Sequence, residues 1–183
     1  LGLGRRNLYW TAGCPERLNK TRIEGCAEGP PRKGEEEMAG PLEGIKVVEI
    51  GVWVAGPAAA GILADWGAEV IKIEPPGGDP ARLLSPFAGD RVDPERSLRF
   101  INSNRSKRSV VLDIDSPEER AKIRALAESV DILVEDFVPG HLAGLGLGYE
   151  ELRQRNPGLV YVSITPFGQT GPHASFRGGD LVA

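Results

Sequence analysis

The feature that most limits the fold of this chain is a regular alternation, from residue 45 onward, between short apolar runs and segments with helix signals. The apolar runs, rich in β-branched residues, predict strands at residues 45–50, 69–74, 110–114, 131–134 and 159–164. The intervening segments predict helices at residues 58–66, 117–128, 141–145 and 149–155. Strands that alternate with helices predict βαβ units and a mostly parallel sheet flanked by helices, an α/β fold.

Proline, glycine and serine mark the ends of the two longer helices. Pro57 suits the first turn of one helix and Gly67 its C-terminal end. Ser116 is a candidate N-cap for the other, with Pro117 as its first helical residue. Residues 80–106 have no clear period, so we predict irregular structure there.

Both ends of the chain differ from this regular part. Residues 1–37 show neither helical nor strand periodicity, and Met38 is the only methionine. We predict that residues 1–37 are a disordered or non-native N-terminal extension, the alternative being a genuine arm. Residues 181–183 resemble the start of a further apolar element, which predicts that residues 38–183 are the N-terminal portion of a larger, truncated domain.

Composition excludes several classes of function. The net charge of -4 disfavours nucleic acid as a partner. The chain has neither the run of about 20 apolar residues that a membrane span needs nor a secretory signal, so we predict a cytoplasmic protein with no membrane partner. Cys14 and Cys26 lack metal-ligand spacing, and no metal site is predicted.

The loops after the predicted strands are where an open parallel sheet binds its ligands. They are rich in Gly and Pro, and the nearby cations Arg82, Lys107 and Arg177 are candidates for contacting a phosphate. We interpret residues 105–108 as a solvated charge cluster rather than a ligand patch. Neither GxGxxG nor GxxxxGK[ST] occurs, so the residues alone indicate an α/β domain for a nucleotide-like ligand.

Seven segments, in order and in wording, resemble the class III (CaiB/BaiF) CoA-transferases, which include formyl-CoA transferase, carnitine CoA-transferase and α-methylacyl-CoA racemase. They are PLEGIKVVEIG (41–51), AGP (55–57), LADWGAEVIKIEPPGGDPAR (63–82), SKRSVVLDI (106–114), DILVEDFVPG (131–140), LGLGYEELRQRNPGLVYVSITPFGQTGP (145–172) and RGGD (177–180). Seven matches in the same order are far more specific than any one of them.

The resemblance implies a Rossmann-like large domain, two chains interlocked as a homodimer, and an enzyme that moves CoA from an acyl-CoA to a carboxylic acid. CoA and acyl-CoA are then substrates, and no permanently bound cofactor is implied. An aspartate is the nucleophile, forming a mixed anhydride and then an aspartyl-CoA thioester. In the family this aspartate follows the matched region, so it falls beyond Ala183. Asp180 matches an earlier acidic position, for which the resemblance implies a supporting role.

The resemblance also implies a set of CoA contacts. They are Val54, Ala55, Leu112, Asp115, Asp136, Phe137 and Arg177. Asp136 departs from the family's usual Asn, while Pro75 and Gly144 stand where Arg is common. We interpret Trp53 and Trp66 as residues that pack a helix onto the sheet rather than as adenine-stacking groups.

Two alternative functions stay open. Family racemases carry His at the position of Gly179, where an acid/base group moves the α-proton, and Gly disfavours that reaction. A non-catalytic CoA-binding fragment is the other alternative. From the residues alone, without the resemblance, we interpret Asp180 as a helix N-cap.

Overall fold

The structure is a computed structural model that describes residues 40–176 and Gly178. The predictions for residues 1–37 therefore lie outside the described residues, as do those for residues 177 and 179–183. The described part is an α/β fold, as the sequence predicted.

In residues 40–176, five strands form one sheet in which every neighbouring pair is parallel. They are β1 (Lys46–Ile50), β2 (Glu69–Glu74), β3 (Arg108–Val111), β4 (Ile132–Glu135) and β5 (Val160–Ser163). The spatial order is β3-β2-β1-β4-β5. All five predicted strands are present, and four of them agree with the prediction to within one residue at each end.

Within the described residues, five α-helices connect and follow the strands. They are α1 (Ala55–Asp65), α2 (Leu98–Asn104), α3 (Pro117–Ala127), α4 (His141–Gly144) and α5 (Tyr149–Leu152). Two short 3-10 turns, Pro80–Leu83 and Ala88–Asp90, lie before α2. The predicted end signals are confirmed: Gly67 adopts φ 99° after α1, and Ser116 Oγ accepts a hydrogen bond from the Glu119 N–H at 3.5 Å.

The prediction of irregular structure over residues 80–106 was wrong, because it missed α2. This helix has a local N-cap, since Ser97 Oγ accepts from the Phe100 N–H at 3.3 Å. The same hydroxyl is close to the Ala81 and Leu84 carbonyl oxygens, at 2.8 and 2.7 Å. The cap therefore depends on tertiary contacts that a periodicity reading does not detect.

The third strand was predicted two residues too late. Its pairing with β2 begins at Arg108, opposite Ile71, and ends at Val111. All four residues of β3 are exposed, as expected for the end of a sheet. Leu112, the next residue, is buried in the core although it lies outside the strand.

The core has two parts, one on each face of the sheet. One contains Val48, Ile73 and Leu133 with Ile123 of α3. The other contains mainly Val47, Val70, Val134 and three alanines: Ala60, Ala64 and Ala68. Helices cover both faces, which is the usual setting of a parallel sheet.

The interpretation of Trp53 and Trp66 as packing residues was wrong. Their side chains are 48% and 54% exposed. Ala60 and Ala64 of α1 share a core cluster with strand residues of the sheet, and both tryptophan rings lie outside it. Across the described residues, no helix is long and apolar enough to cross a membrane.

Candidate functional site

The strand order places a topological switch point between β1 and β4. The chain moves from β1 to β2 in one direction and later crosses back to add β4 on the other side. The loops that follow β1 and β4 therefore diverge at the carboxyl edge, and such a crevice is the usual ligand site in open α/β sheets.

Residues 51–54 form the loop after β1 and lead directly into α1. Trp53 has a φ of 66°, in the left-handed region that a bulky residue rarely adopts. Val54 and Ala55 are exposed next to it. A strained loop of this kind persists only when its surroundings hold it in place.

Asp136, the first residue after β4, holds this loop from one side. Its Oδ1 accepts a hydrogen bond from the Val52 N–H at 3.2 Å, and its Oδ2 accepts one from the Gly56 N–H at 3.1 Å. Burial raises the pKa of the Asp136 carboxyl from 3.8 to about 6, although both N–H groups and the charge of Lys72 favour the ionised form.

Lys72 and Asp79 hold the same loop from the other side. The Lys72 ammonium donates to the Gly51 carbonyl oxygen at 2.8 Å and to Glu49 Oε1 at 2.7 Å. Asp79 Oδ2 lies 2.9 Å from the Lys72 nitrogen, and Asp79 Oδ1 accepts from the Trp53 N–H at 3.1 Å. The Gly51 carbonyl and the Trp53 N–H thus each have a buried charged partner.

Lys107 extends this buried network beneath α1. Its ammonium donates to Glu49 Oε2 at 2.7 Å, to the Pro57 carbonyl oxygen at 2.6 Å and to Asn104 Oδ1 at 2.9 Å. Burial lowers the pKa of Lys107 to about 8, against the effect of the Glu49 carboxylate. Lys107 therefore pairs within the protein, and the interpretation of residues 105–108 as a solvated cluster was wrong at this position.

Arg82 is likewise paired within the protein. It donates to both carboxylate oxygens of Glu74, at 2.7 and 2.8 Å, and to Glu95 Oε1 at 2.8 Å. Its guanidinium carbon lies 3.7 Å from the centre of the Phe100 ring. Burial opposes ionisation of Glu74, but hydrogen bonds from Arg82, Ser109 and the Asp79 N–H lower its pKa to about 2. The two candidate phosphate contacts Arg82 and Lys107 thus serve internal ion pairs.

The structure brings together part of the predicted CoA-contact set. Val54 and Ala55 lie beside Asp136 at the switch point, while Phe137 is half-buried against the core. Leu112 and Asp115 follow β3, which is two strands away from β1 in the sheet. The predicted contacts at Arg177 and Asp180 lie outside the described residues.

A cleft of about 660 Å³ lies along β5 and the segment that follows β4. Glu135, Leu142, Tyr161 and Ser163 are among the residues that line it. Burial raises the pKa of the Glu135 carboxyl. Of the predicted CoA contacts that the structure describes, none lines this cleft. Among the described residues, no group of three or more His, Cys, Asp or Glu side chains is arranged to hold a metal ion.

Comparison with known proteins decides the family. The family model of CoA-transferase family III matches residues 42–183. The chain belongs to this family. It is 46% identical, over 145 residues, to a succinate–glutarate CoA-transferase of Agrobacterium fabrum, which covers 78% of the chain and 36% of the relative. It is 43% identical to the human succinyl-CoA:glutarate CoA-transferase over 145 residues, which is 78% of the chain and 32% of that enzyme.

Solved structures of family members share the fold. A CaiB/BaiF family protein of Brucella suis superposes with a TM-score of 0.72 at 40% identity, over 79% of this chain and 38% of that one. The chain therefore spans about a third of the length of these relatives, from 32% to 38%.

The buried charges at the switch point were not predicted as a group. A signal for them exists in the sequence, since β1 and β2 read KVVEI and EVIKIE. Side chains alternate between the two faces of a strand, so Glu49, Lys72 and Glu74 fall on one face. Charges at alternate positions of strands in the middle of a parallel sheet indicate a buried ion network.

Proposed function

We propose that this chain is part of an enzyme that transfers CoA from an acyl-CoA to a carboxylic acid. Membership of CoA-transferase family III carries this proposal. Relatives named for succinate, glutarate, citramalate and oxalate favour a dicarboxylic acid as the acceptor. We also propose, as the sequence predicted, that the full-length protein forms an interlocked homodimer and is cytoplasmic.

The proposed reaction uses an aspartate beyond Ala183 as its nucleophile. Its carboxylate attacks the thioester carbonyl of the donor, the CoA thiolate leaves, and a mixed anhydride forms. The thiolate then attacks the aspartyl carbonyl, giving an aspartyl-CoA thioester and releasing the donor acid. The acceptor carboxylate reverses these two steps, which yields the new acyl-CoA and restores the aspartate. Covalent catalysis divides one difficult transfer into easier steps.

The geometry supports a CoA contact at the switch point. Val54, at the end of the loop, and Ala55, the first residue of α1, are both exposed. Charged side chains hold this loop in place, and a loop that is already fixed loses little entropy when a ligand binds. We propose that these residues, with Leu112, Asp115, Phe137 and Arg177 of the predicted set, lie along bound CoA, with Asp136 acting on the site through the backbone. Asp180 supports the chemistry without acting as the nucleophile.

The racemase alternative is disfavoured by Gly179, which carries no titratable group. A non-catalytic CoA-binding fragment is the second candidate. It differs from the transferase in one respect that can be measured, because it predicts CoA binding without CoA transfer, even in a longer protein that contains this chain.

Calorimetric titration of the 183-residue chain with CoA and acetyl-CoA tests the site. We expect binding that Arg177→Ala weakens, because this substitution removes a cation from the proposed phosphate contact. Arg105→Ala is the matched control, since Arg105 pairs with Asp65 on the surface and should leave CoA affinity unchanged. A folded chain that binds neither compound contradicts a CoA site within these residues.

The same chain, given succinyl-CoA and glutarate, is expected to show no turnover. The proposed nucleophile lies beyond Ala183, so transfer by this chain would contradict its assignment. Turnover by a longer protein that contains the aspartate, abolished by its replacement with Ala, would support the transferase over the non-catalytic fragment.

A further inference from the structure

The N-terminus of α1 points into the crevice where a fold of this topology usually receives a phosphate. Helix N-termini favour anions because their first backbone N–H groups lack partners within the helix. In this protein one of those donors, together with an N–H of the loop before α1, is already engaged. The N–H of Gly56, in the first turn of α1, and that of Val52 both donate to the carboxylate of Asp136.

Two glycines, Gly51 and Gly56, leave the space that this carboxylate occupies. A Cβ atom placed on Gly56 would meet Asp136 Oδ2 at 2.8 Å, and one placed on Gly51 would meet the same oxygen at 3.0 Å. For both glycines, the three nearest atoms all belong to the Asp136 side chain. Two N–H groups and two missing side chains thus form a cradle, and the carboxylate fills it.

We propose that Asp136 is a positioning residue whose carboxylate permanently occupies the anion-binding position at the N-terminus of α1 and so fixes the loop of residues 51–54. Hydrogen bonds from the loop and from α1 to the same carboxylate keep Trp53 in its left-handed conformation and present Val54 toward the crevice. Lys72 and Asp79 complete the anchoring from the β2 side.

One consequence concerns the ligand, and it rests on the proposed CoA site. The diphosphate of CoA does not bind at the N-terminus of α1, in contrast to the usual placement of a dinucleotide on this topology. Its charge has to be met by cations elsewhere. Asp136 then affects CoA affinity through the position of the loop, without touching a phosphate.

Substitutions at Gly56 and Asp136, which add atoms to the cradle or remove them from it, test the proposal on the full chain. Gly56→Ala is expected to lower the melting temperature clearly, since its methyl group meets the carboxylate. In the Asp136→Ala background the same change is expected to cost little or to stabilise, because the methyl group then occupies vacated space. Gly144→Ala is the size control, since a Cβ at Gly144 meets no atom within 4 Å. Equal effects of Gly56→Ala in both backgrounds would overturn the proposal.

Small carboxylates give a second, independent readout. Formate, which matches the group that Asp136→Ala removes, is expected to raise the melting temperature of this variant to a plateau, beyond the effect of chloride at equal ionic strength. Wild type and the Gly56→Ala/Asp136→Ala double variant should show no such excess, because their cradles are filled. Inorganic phosphate in a third series shows whether the vacated cradle also admits a larger anion. Formate and chloride acting alike on all three proteins would overturn the proposal.

CoA affinity, measured on the same proteins, separates a positioning role from a purely structural one. Asp136→Ala is expected to bind CoA at least several-fold more weakly, and formate is expected to restore part of the loss. If formate raised the melting temperature of Asp136→Ala but the substitution left CoA affinity unchanged, the positioning role would be overturned. Failure of every protein, wild type included, to bind CoA would count against the proposed function while leaving the stability results to decide the filled cradle.

If Asp136→Ala does not fold in either salt, hydrogen exchange in Asp136→Asn tests the proposal instead. The amide keeps one carbonyl oxygen, so hydrogen exchange should quicken at Val52 or at Gly56 and stay slow at the other. The Lys46 N–H, which donates to Asp131 Oδ2 at 2.8 Å at the opposite edge of the sheet, serves as the control. Unchanged protection at both amides would overturn the proposal.

Discussion

The two faces of the sheet are built differently, although the same strands form both. On the α3 face, Val48, Ile73 and Leu133 belong to an apolar core cluster, and the buried charge on this side is Glu135 at the end of β4. On the α1 face, Val47 and Val70 are followed toward the carboxyl edge by charged residues. These are Glu49, Lys72 and Glu74, all of them buried.

Apolar burial on one face and buried charge on the other have different physical effects. Burial of hydrocarbon is non-directional and supplies most of the stability of a fold. Buried ion pairs are costly to desolvate and add little net stability, but they fix the direction of every group they contact. In this protein they contact the backbone of the loop after β1. The apolar face therefore stabilises the sheet, while the charged face positions the candidate site.

Lys72→Met should produce the largest effect. Methionine keeps most of the buried aliphatic stem but leaves Glu49 and Asp79 without this cation, and loss of one partner from a buried ion pair costs about 3–5 kcal/mol. Urea denaturation at neutral pH and again near pH 4 measures it. We expect the loss to depend on pH, because the substitution leaves buried acidic side chains without this cation. A loss that does not depend on pH would mean that Lys72 acts mainly through packing.

Leu133→Ala is the corresponding test of the apolar face. Leu133 is fully buried, and truncating a buried leucine costs about 2–5 kcal/mol through lost burial and the cavity that remains. The loss should be the same at both pH values, because no charged group is involved. A marked pH dependence here would remove the contrast between the two faces.

Glu74→Gln should change the acid sensitivity of the charged face. The pKa of Glu74 is lowered from 4.5 to about 2 in the folded protein, so the unfolded chain binds more protons between these values. Its contribution to stability is present above pH 4.5 and is lost as the pH falls toward 2. Denaturation midpoints across this range should therefore fall less steeply in Glu74→Gln than in wild type.

Glu69→Gln is the control for that measurement. Glu69 begins the same strand, but its contact with Arg108 is 3.4 Å long and exposed, so its replacement should leave the wild-type slope unchanged. Equal slopes for wild type and both variants would show that the Arg82–Glu74 pair does not contribute to acid stability.

Trp66→Lys should have the smallest effect. The indole is 54% exposed at the end of α1, and surface substitutions of this kind usually change stability by less than about 0.5 kcal/mol. Thermal denaturation beside wild type measures it. A loss of several kcal/mol would restore the earlier interpretation of Trp66 as a residue that packs α1 onto the sheet.

The sequence predicted the sheet better than the candidate site. Apolar runs gave all five strands, and local end signals such as Ser116 and Gly67 gave the ends of two helices. The missed helix α2 depends on Ser97, which contacts two carbonyl oxygens of an earlier turn. The roles of Arg82 and Lys107 were mistaken for the same reason. A free cation and a buried, paired one look alike in a sequence, and only the folded neighbours distinguish them.

What the sequence determined by itself is the α/β class and the family, because apolar periodicity and segment order are properties of the chain alone. The tertiary structure decided which charges are used internally. Asp136 was predicted as a CoA contact, yet its carboxylate bonds to Val52 and Gly56, about 80 residues earlier in the chain. Such a contact depends on strand order, since β4 becomes the neighbour of β1 only when the sheet assembles. No local pattern encodes that adjacency.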